Sequence, residues 1–320
     1  MSKVHEHLGK ANPVKGLFGI EVEVEGQDLP YNAHGNWKVD GNEGSLRDGG
    51  LEYIFKRPLS YAGSIKQLHL LKKYFKDNRS KPVFSQRTSV HVHVNVSDLY
   101  FNHMCNFIFL ALLFEGNLSH FCGESRKGNP FCITGKFAEG VYEGVSKIFE
   151  SKKLLQRGDE QIYRYGFINL ASITKYGSVE FRGMYGTLDI PVLDEWISML
   201  KKLRELATTF ATPLDIISAI KKNGGVLSFA RKVLTPSFRY NMERVDLHNS
   251  YDMARLTALT VEDWDEPVKD KIPKMTKGNP FINALHGEEV FQVEPVRFDN
   301  NWVAVDGADV DGAPEVFIRE

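Results

Sequence analysis

Three short segments of this chain alternate apolar and polar residues with a period of two. They are GIEVEVEG at 19–26, SVHVHVNV at 89–96 and SVEFRG at 178–183. Because successive side chains of a β-strand point to opposite faces, each segment predicts a strand with one apolar and one polar face. A charged edge strand or a surface ion pair would explain one such strand taken alone. Three strands whose polar faces carry Glu, His, Asn and Arg predict a shared polar site.

The polar positions of these strands are of the residue types that bind cations and phosphates. They are Glu21, Glu23 and Glu25 in the first segment, His91, His93 and Asn95 in the second, and Glu180 and Arg182 in the third. Carboxylates with an added imidazole suit Mg²⁺ or Mn²⁺, and a neighbouring arginine suits a transferring γ-phosphate. The chain contains neither a G-x-x-x-x-G-K-[ST] nor a G-x-G-x-x-G motif. A bound nucleotide is therefore expected to be held by metal ions on a sheet.

Net charge, cysteine content and the length of apolar segments indicate which broad classes of protein this chain does not resemble. With 320 residues and a net charge of −1, the chain is not expected to have a broad nucleic-acid or membrane-binding surface. Its three cysteines indicate neither a disulfide framework nor a zinc ribbon, and they favour the reducing cytoplasm. The N-terminal residues lack the apolar region of a signal peptide. The apolar run at 104–114 is too short to span a bilayer, so it predicts a buried helix.

The order of periodic segments predicts an α+β fold. Further strands are expected at 50–58 and, as a hairpin-like pair, within 166–186, with helices over 61–76 and 193–210. The residues of the predicted polar site are assigned to one catalytic domain at 15–211. Residues 212–320 are expected to form an accessory region of short helices followed by β-rich sequence.

Several motifs, taken in order, resemble the putative amidoligase family of the carboxylate-amine ligase superfamily, whose members are frequent in phages and bacteria. The motifs are GIEVE, WKVDGNEGSLRDGGLEYIFKRPL, RTSVHVHVNV, RYGFINLAS and GSVEFRGMYGTLD. The resemblance covers roughly residues 15–210 and implies a glutamine synthetase-like, mostly antiparallel curved sheet with helices on its outer face. It also implies an ATP-dependent ligase that uses Mg²⁺ or Mn²⁺ to join a small-molecule or peptide carboxylate to an amine. A phage-encoded member would act in the host cytoplasm.

The resemblance implies two metal positions. Glu21 and Glu23 of the E-x-E strand would divide between them. Glu52 would join Glu23 at the first metal, and His91 and Glu180 would join Glu21 at the second.

The resemblance further implies that Arg182 faces the transferring phosphoryl group, with Arg164 as a second anion contact. His93 and Asn95 would lie beside the acyl-phosphate and amine end of the site. His93 would either take the proton of the amine or hold a neighbouring residue by a hydrogen bond.

The chain departs from the family pattern where the family usually has D-G-S. Here Asn42 and Glu43 intervene, which leaves the role of Asp40 open and makes Glu43 a competing ligand. Glu115 and Arg126 also resemble family positions, and their roles stay open.

Two other functions fit part of the pattern. An H-x-H pair with a distant carboxylate also fits a cupin-like non-haem iron oxygenase, although this leaves the E-x-E and E-x-R segments unexplained. A nucleotide-binding protein of the same fold without turnover is the other alternative. The sequence specifies neither the two substrates nor the oligomeric state.

Overall fold

One antiparallel sheet of seven strands organises the part of the chain that the structure describes. The computed structural model describes residues 2–31, 35–41, 45–47, 49–135, 139–151, 153–154, 165–240, 242 and 247–259. The strands are β1 (Phe18–Gln27), β2 (Trp37–Asp40), β3 (Leu51–Phe55), β4 (Lys81–Val83), β5 (Ser89–Asn95), β6 (Ile168–Asn169) and β7 (Ser178–Tyr185). Their order is β2-β3-β1-β5-β7-β6, and β4 pairs with the far end of β1. The three alternating segments of the sequence are therefore the three adjacent central strands.

The apolar positions of the central strands form one continuous buried face. Ile20 lies opposite Val92, and Val92 lies opposite Phe181 on the next strand. All three are at most 1% exposed. The ring of Phe181 lies 5.9 Å from that of Phe107 and 6.3 Å from that of Trp196, so helices cover this face. Burial of this face leaves the Glu and His positions together on the other side of the sheet.

The helices begin and end close to the apolar periodicity of the sequence. They are α1 (Val4–His7), α2 (Tyr61–Asp77), α3 (Phe101–Leu113), α4 (Glu115–Phe121), α5 (Glu139–Ser151), α6 (Ala171–Tyr176), α7 (Ile190–Ala207), α8 (Pro213–Lys222), α9 (Val226–Val233), α10 (Pro236–Arg239) and α11 (Leu247–Leu259). Helix α2 starts with a Ser60 side chain that accepts a hydrogen bond from the Gly63 amide. Helix α3 is almost wholly buried and contacts α7, α8 and α11.

These elements confirm the predicted α+β class with a mostly antiparallel sheet. The expected hairpin within 166–186 is wrong in one respect, because β6 has only two residues and α6 connects it to β7. Gly177 ends this short helix with a φ of 76°, which turns the chain directly into β7. Strands β2 and β4 were not predicted, because they have only four and three residues.

The chain divides into two units, Met1–Lys274 and Met275–Glu320. The second unit, with the strands expected there, lies outside the described residues. Helices α8 to α11 follow residue 212, and α8 and α11 pack on α3. The domain boundary at 211 stays a prediction.

No single helix among the described residues is both long and apolar enough to cross a membrane. The successive helices α3 and α4 reach the required length and composition only when taken together, and they are bent by 60°.

Candidate metal centre

Polar residues of neighbouring strands lie opposite one another in three rows across the sheet. The opposed residues are Asp40, Glu52 and Glu23 in the first row, Glu21 and His91 in the second, and His93, Glu180 and Asn169 in the third. Antiparallel neighbours directly opposite each other bring their Cβ atoms to about 5 Å. Residues from six strands therefore converge on one face.

Two overlapping groups of side chains on this face have the geometry of cation sites. One is Glu21, His91 and Glu180, and the other is Glu23, Glu52 and His91, with the ligand atoms of each group within 4.8 Å of one another. His91 Nδ1 lies 3.1 Å from Glu21 Oε2 and 3.7 Å from Glu180 Oε1. The structure thus brings together all five residues for which metal ligation was predicted. Their role as ligands stays a prediction.

The chemistry of the donor set fits hard divalent cations. Glu23, Glu52, His91 and Glu180 are only 3–8% exposed, so four neighbouring carboxylates, counting Glu21, are held largely away from water. Buried like charges are costly unless a cation offsets them. The Arg182 guanidinium offsets one of these charges through Glu180. Carboxylates with one imidazole are suitable ligands for Mg²⁺ or Mn²⁺, which would offset the others.

The pKa values of Glu21 and His93 are both shifted by charged groups of this face. Burial alone would raise the pKa of the Glu21 carboxyl, but His93 and His91 together lower that pKa well below its usual value. Burial alone would lower the pKa of His93, but Glu180 and Glu21 raise it. The lowered pKa keeps the Glu21 carboxyl ionised, as a metal-binding carboxylate must be.

Arg182 and Asn169 hold the two oxygens of Glu180. Arg182 Nη1 donates to Oε1 at 2.6 Å, and Asn169 Nδ2 donates to Oε2 at 2.8 Å. Arg182 Nε also lies 3.5 Å from the Phe131 carbonyl oxygen. Arg182 thus links Glu180 on the polar face to the backbone at Phe131.

His93 is fixed on both sides of its ring. Its Nδ1 lies 3.1 Å from Ser178 Oγ, and its Nε2 lies 3.3 Å from Glu21 Oε1. The half-exposed ring of Tyr176 meets it edge-on, with the ring centroids 5.6 Å apart. His93 therefore contacts one of the candidate ligands directly, while Tyr176 beside it reaches solvent.

A β-bulge in β7 lies at Arg182 and Gly183, beside the polar face. Val90 lies opposite Met184 and Val92 lies opposite Phe181, so β7 has one extra residue across from His91. The buried guanidinium of Arg126 holds this irregular backbone, donating to the carbonyl oxygens of Arg182 at 3.0 Å and of Gly183 at 3.1 Å. Arg126, whose role the sequence left open, thus supports the bulge.

Asn95 anchors the chain that leads into β1. Its Nδ2 donates to the carbonyl oxygens of Val14 at 2.8 Å and Gly16 at 2.7 Å. Its Oδ1 accepts from the backbone amide and the hydroxyl of Ser97. A ligand contact by Asn95 would have to displace one of these bonds. The predicted role of Asn95 in cofactor binding therefore has less support than that of Arg182.

The other residues singled out in the sequence lie apart from the two groups or outside the described residues. Arg164 and Glu43 are outside the described residues. Asp40 lies opposite Glu52 at the end of the first row. Glu115 is buried, and both of its oxygens accept the Gly135 amide at 2.8–2.9 Å, so it holds the loop after Cys132.

Ser89 and Asn169 belong to the site but were missed in the sequence. Ser89 has the same parity in β5 as His91 and His93, so the alternation already placed it on the polar face. A serine was overlooked because small hydroxyls are common on strands. Asn169 lies in a strand of two residues, for which no periodic signal exists.

A family model gives independent evidence for the chemistry of this face. The model described as putative amidoligase enzyme matches residues 55–204. The chain resembles the putative amidoligases. This match confirms the resemblance that the order of the motifs predicted, and it indicates a ligase-type enzyme. A search of curated proteins gave no match.

The amidoligase match covers only part of the candidate centre. His91, His93, Glu180 and Arg182 lie within the matched residues, whereas Glu21, Glu23 and Glu52 precede them. The sheet register joins the two sets, since Glu21 pairs with His91 across β1 and β5. The structure thus adds three carboxylates to the amidoligase-like segment.

Proposed function

We propose that this protein is an ATP-dependent carboxylate-amine ligase that forms an amide bond through an acyl-phosphate intermediate. The convergence of Glu21, Glu23, Glu52, His91 and Glu180 on one buried face carries this proposal. The ligase-type family match supports it. The expected substrates are ATP with Mg²⁺ or Mn²⁺ and a small-molecule or peptide carboxylate and amine.

In the first step an oxygen of the substrate carboxylate attacks the γ-phosphorus of ATP, and the bond to the β–γ bridging oxygen breaks to release ADP. Divalent cations held by the two ligand groups would neutralise the phosphate oxygens during this transfer. Arg182, kept in place by Glu180 and the bulge, donates to the γ-phosphoryl oxygens as their charge redistributes.

In the second step the amine nitrogen attacks the acyl carbon, and the C–O bond to phosphate breaks. The amine must lose a proton in this step. His93 in its neutral form is our candidate acceptor, because its Nε2 faces the cluster and its Nδ1 is held by Ser178. No thiol nucleophile is required, and burial raises the pKa of the Cys122 thiol well above its usual value.

The geometry favours a ligase over a non-haem oxygenase. A facial triad needs two histidines and one carboxylate around one metal. Within the described part of the chain, each of the two candidate groups has two carboxylates and a single histidine, His91. His93 belongs to neither group. A binding protein without turnover is distinguished from a ligase only by the reaction itself.

The test is to incubate the protein with Mg²⁺, ATP and pooled carboxylates and amines, the carboxylates carrying ¹⁸O. We expect ADP and phosphate only when both pools are present, with one ¹⁸O atom transferred to the phosphate. Mass spectrometry should reveal a product equal to acid plus amine minus water. Transfer of AMP, or coupling without ¹⁸O in phosphate, would contradict the acyl-phosphate route. Glu180→Gln serves as the inactive control.

A further inference from the structure

Ser89 links the two ligand groups of the candidate metal centre. Its Oγ lies 2.5 Å from Glu23 Oε2 and 2.6 Å from His91 Nε2. Ser89 is 2% exposed, so water does not compete for these contacts. The chain Glu23–Ser89–His91 runs along the polar face from β1 to β5.

Counting protons fixes the orientation of these bonds. A serine hydroxyl carries one proton, and an ionised carboxylate can only accept. The Ser89 proton is therefore donated to Glu23, and Ser89 Oγ must accept the proton on His91 Nε2. His91 is thus held with Nε2 protonated, whatever lies on the other side of the ring.

The consequence is that Nδ1 is the nitrogen of His91 that a cation can reach. This atom faces Glu21 and Glu180, at 3.1 Å and 3.7 Å. On the opposite edge of the ring, Nε2 lies 3.9 Å from Glu23 Oε1 and is occupied by Ser89. The same ring therefore cannot offer a free lone pair to the group of Glu23 and Glu52.

We propose that Ser89 is a positioning residue that commits His91 to the cation held by Glu21 and Glu180. It thereby gives the two metal positions different ligands, one with nitrogen and one with oxygen only. This inference rests on the metal centre of the proposed function. Histidine ligands in metal sites commonly donate their second N–H to a partner that fixes the ring, and loss of that partner weakens metal binding about 10- to 100-fold.

The test uses Mn²⁺ binding to the purified full-length chain, so it needs no knowledge of the substrates. Calorimetry measures the number and affinity of bound Mn²⁺ ions, and pulsed EPR detects ¹⁴N coupling from a directly bound imidazole. For the parent we expect two ions, one of them with ¹⁴N coupling. His91→Gln should remove that coupling.

Ser89→Ala should weaken one Mn²⁺ by roughly 10- to 100-fold, reduce the ¹⁴N coupling and leave the other ion unchanged. Ser89→Thr, which keeps the hydroxyl on a residue suited to a strand, should restore parent binding. Circular dichroism and the unfolding midpoint show whether each variant is folded.

The two failures are distinguishable. If the parent binds two ions and Ser89→Ala binds both with parent affinity and coupling, Ser89 has no positioning role, while the metal centre stands. If Ser89→Ala weakens both ions equally, the role of Ser89 is general and not specific to His91. A parent protein that binds no Mn²⁺ would overturn the metal centre itself and, with it, this inference.

Discussion

Gly183 packs directly against the ring of Phe167. A Cβ atom built on Gly183 would lie 1.7 Å from Phe167 Cε2, far inside van der Waals contact. Gly183 is also the bulge residue whose carbonyl oxygen accepts a hydrogen bond from Arg126. The absence of a side chain at this position therefore allows the β7 backbone at the bulge to lie against the Phe167 ring.

Gly183→Ala should consequently destabilise the protein, because either the Phe167 ring or the β7 backbone must move. We expect a loss on the order of 1–3 kcal/mol in the free energy of unfolding, measured by urea denaturation. Gly41→Ala is the matched control. A Cβ there would make ordinary contacts at 3.4 Å and 3.5 Å, so we expect a change within about 0.5 kcal/mol. Equal stability of the two variants would contradict this account of Gly183.

Arg126→Lys should loosen the bulge. A lysine cannot donate from a planar fork to the carbonyl oxygens of Arg182 and Gly183 together, so buried acceptors would lose their partners. We expect a loss of roughly 2–3 kcal/mol in unfolding free energy, with faster amide hydrogen exchange in β7 than in β3. Exchange that rises equally in both strands would indicate a general loss of stability and no specific support of the bulge.

Arg182→Ala should lower turnover by a factor on the order of 10³, because an arginine on the transferring phosphoryl group acts mainly in the transition state. ATP affinity should weaken much less. Arg182→Lys should not restore the rate, since a point charge does not reproduce the fork. Phosphate release and ATP affinity are measured in parallel, with the exposed Arg231→Ala on α9 as control. Turnover of the alanine variant within about threefold of the parent would leave Arg182 as a structural partner of Glu180.

Glu52→Gln should have opposite effects on stability in the absence and presence of metal. Without metal the amide removes one of several crowded carboxylates, so the variant should melt at a higher temperature than the parent. With Mn²⁺ at 100 times its Kd, each occupied site stabilises the parent by about 2.7 kcal/mol, and the variant should gain less.

The measurement for Glu52→Gln is thermal unfolding in EDTA and in Mn²⁺. The exposed Glu150→Gln on α5 should follow the parent in both conditions. An equal gain from Mn²⁺ in the parent and in Glu52→Gln would exclude Glu52 as a ligand.

The faces of the central strands could be predicted from the sequence because parity is a local property. Glu21, His91 and Glu180 each sit between buried apolar neighbours, so period two was enough to place them on one side of the sheet. That Glu21 lies opposite His91 depends on strand register across a long loop, which no local pattern specifies. The family resemblance implied that Glu21, His91 and Glu180 lie together, and the structure gives the distances between them.

Other features could not be predicted for physical reasons that differ from residue to residue. Asn95 shares the parity of His93, but parity does not show which hydrogen bonds a side chain already makes. The Asn95 side chain makes four, to the carbonyl oxygens of Val14 and Gly16 and to the amide and hydroxyl of Ser97. Arg126 lies in a short 3₁₀ turn, and only the tertiary fold brings it to β7. Strand β2 alternates apolar and polar residues, but its four residues are too few to distinguish a strand from a loop.

Because of the bulge in β7, the residues that face the core are odd-numbered before the bulge and even-numbered after it. Before it, even-numbered residues such as Glu180 face the polar side, and after it the even-numbered Met184 is fully buried in the core. Removing one residue at 182–183 would merge the two phases into one. Glu180 would then still face the polar side and Met184 the core, because Phe181 and Met184 would lie two residues apart, as Val92 and Val90 do opposite them. A one-residue deletion elsewhere in β7 would instead turn part of the strand over, so relatives that keep the site are expected to vary in length at the bulge and not beside it.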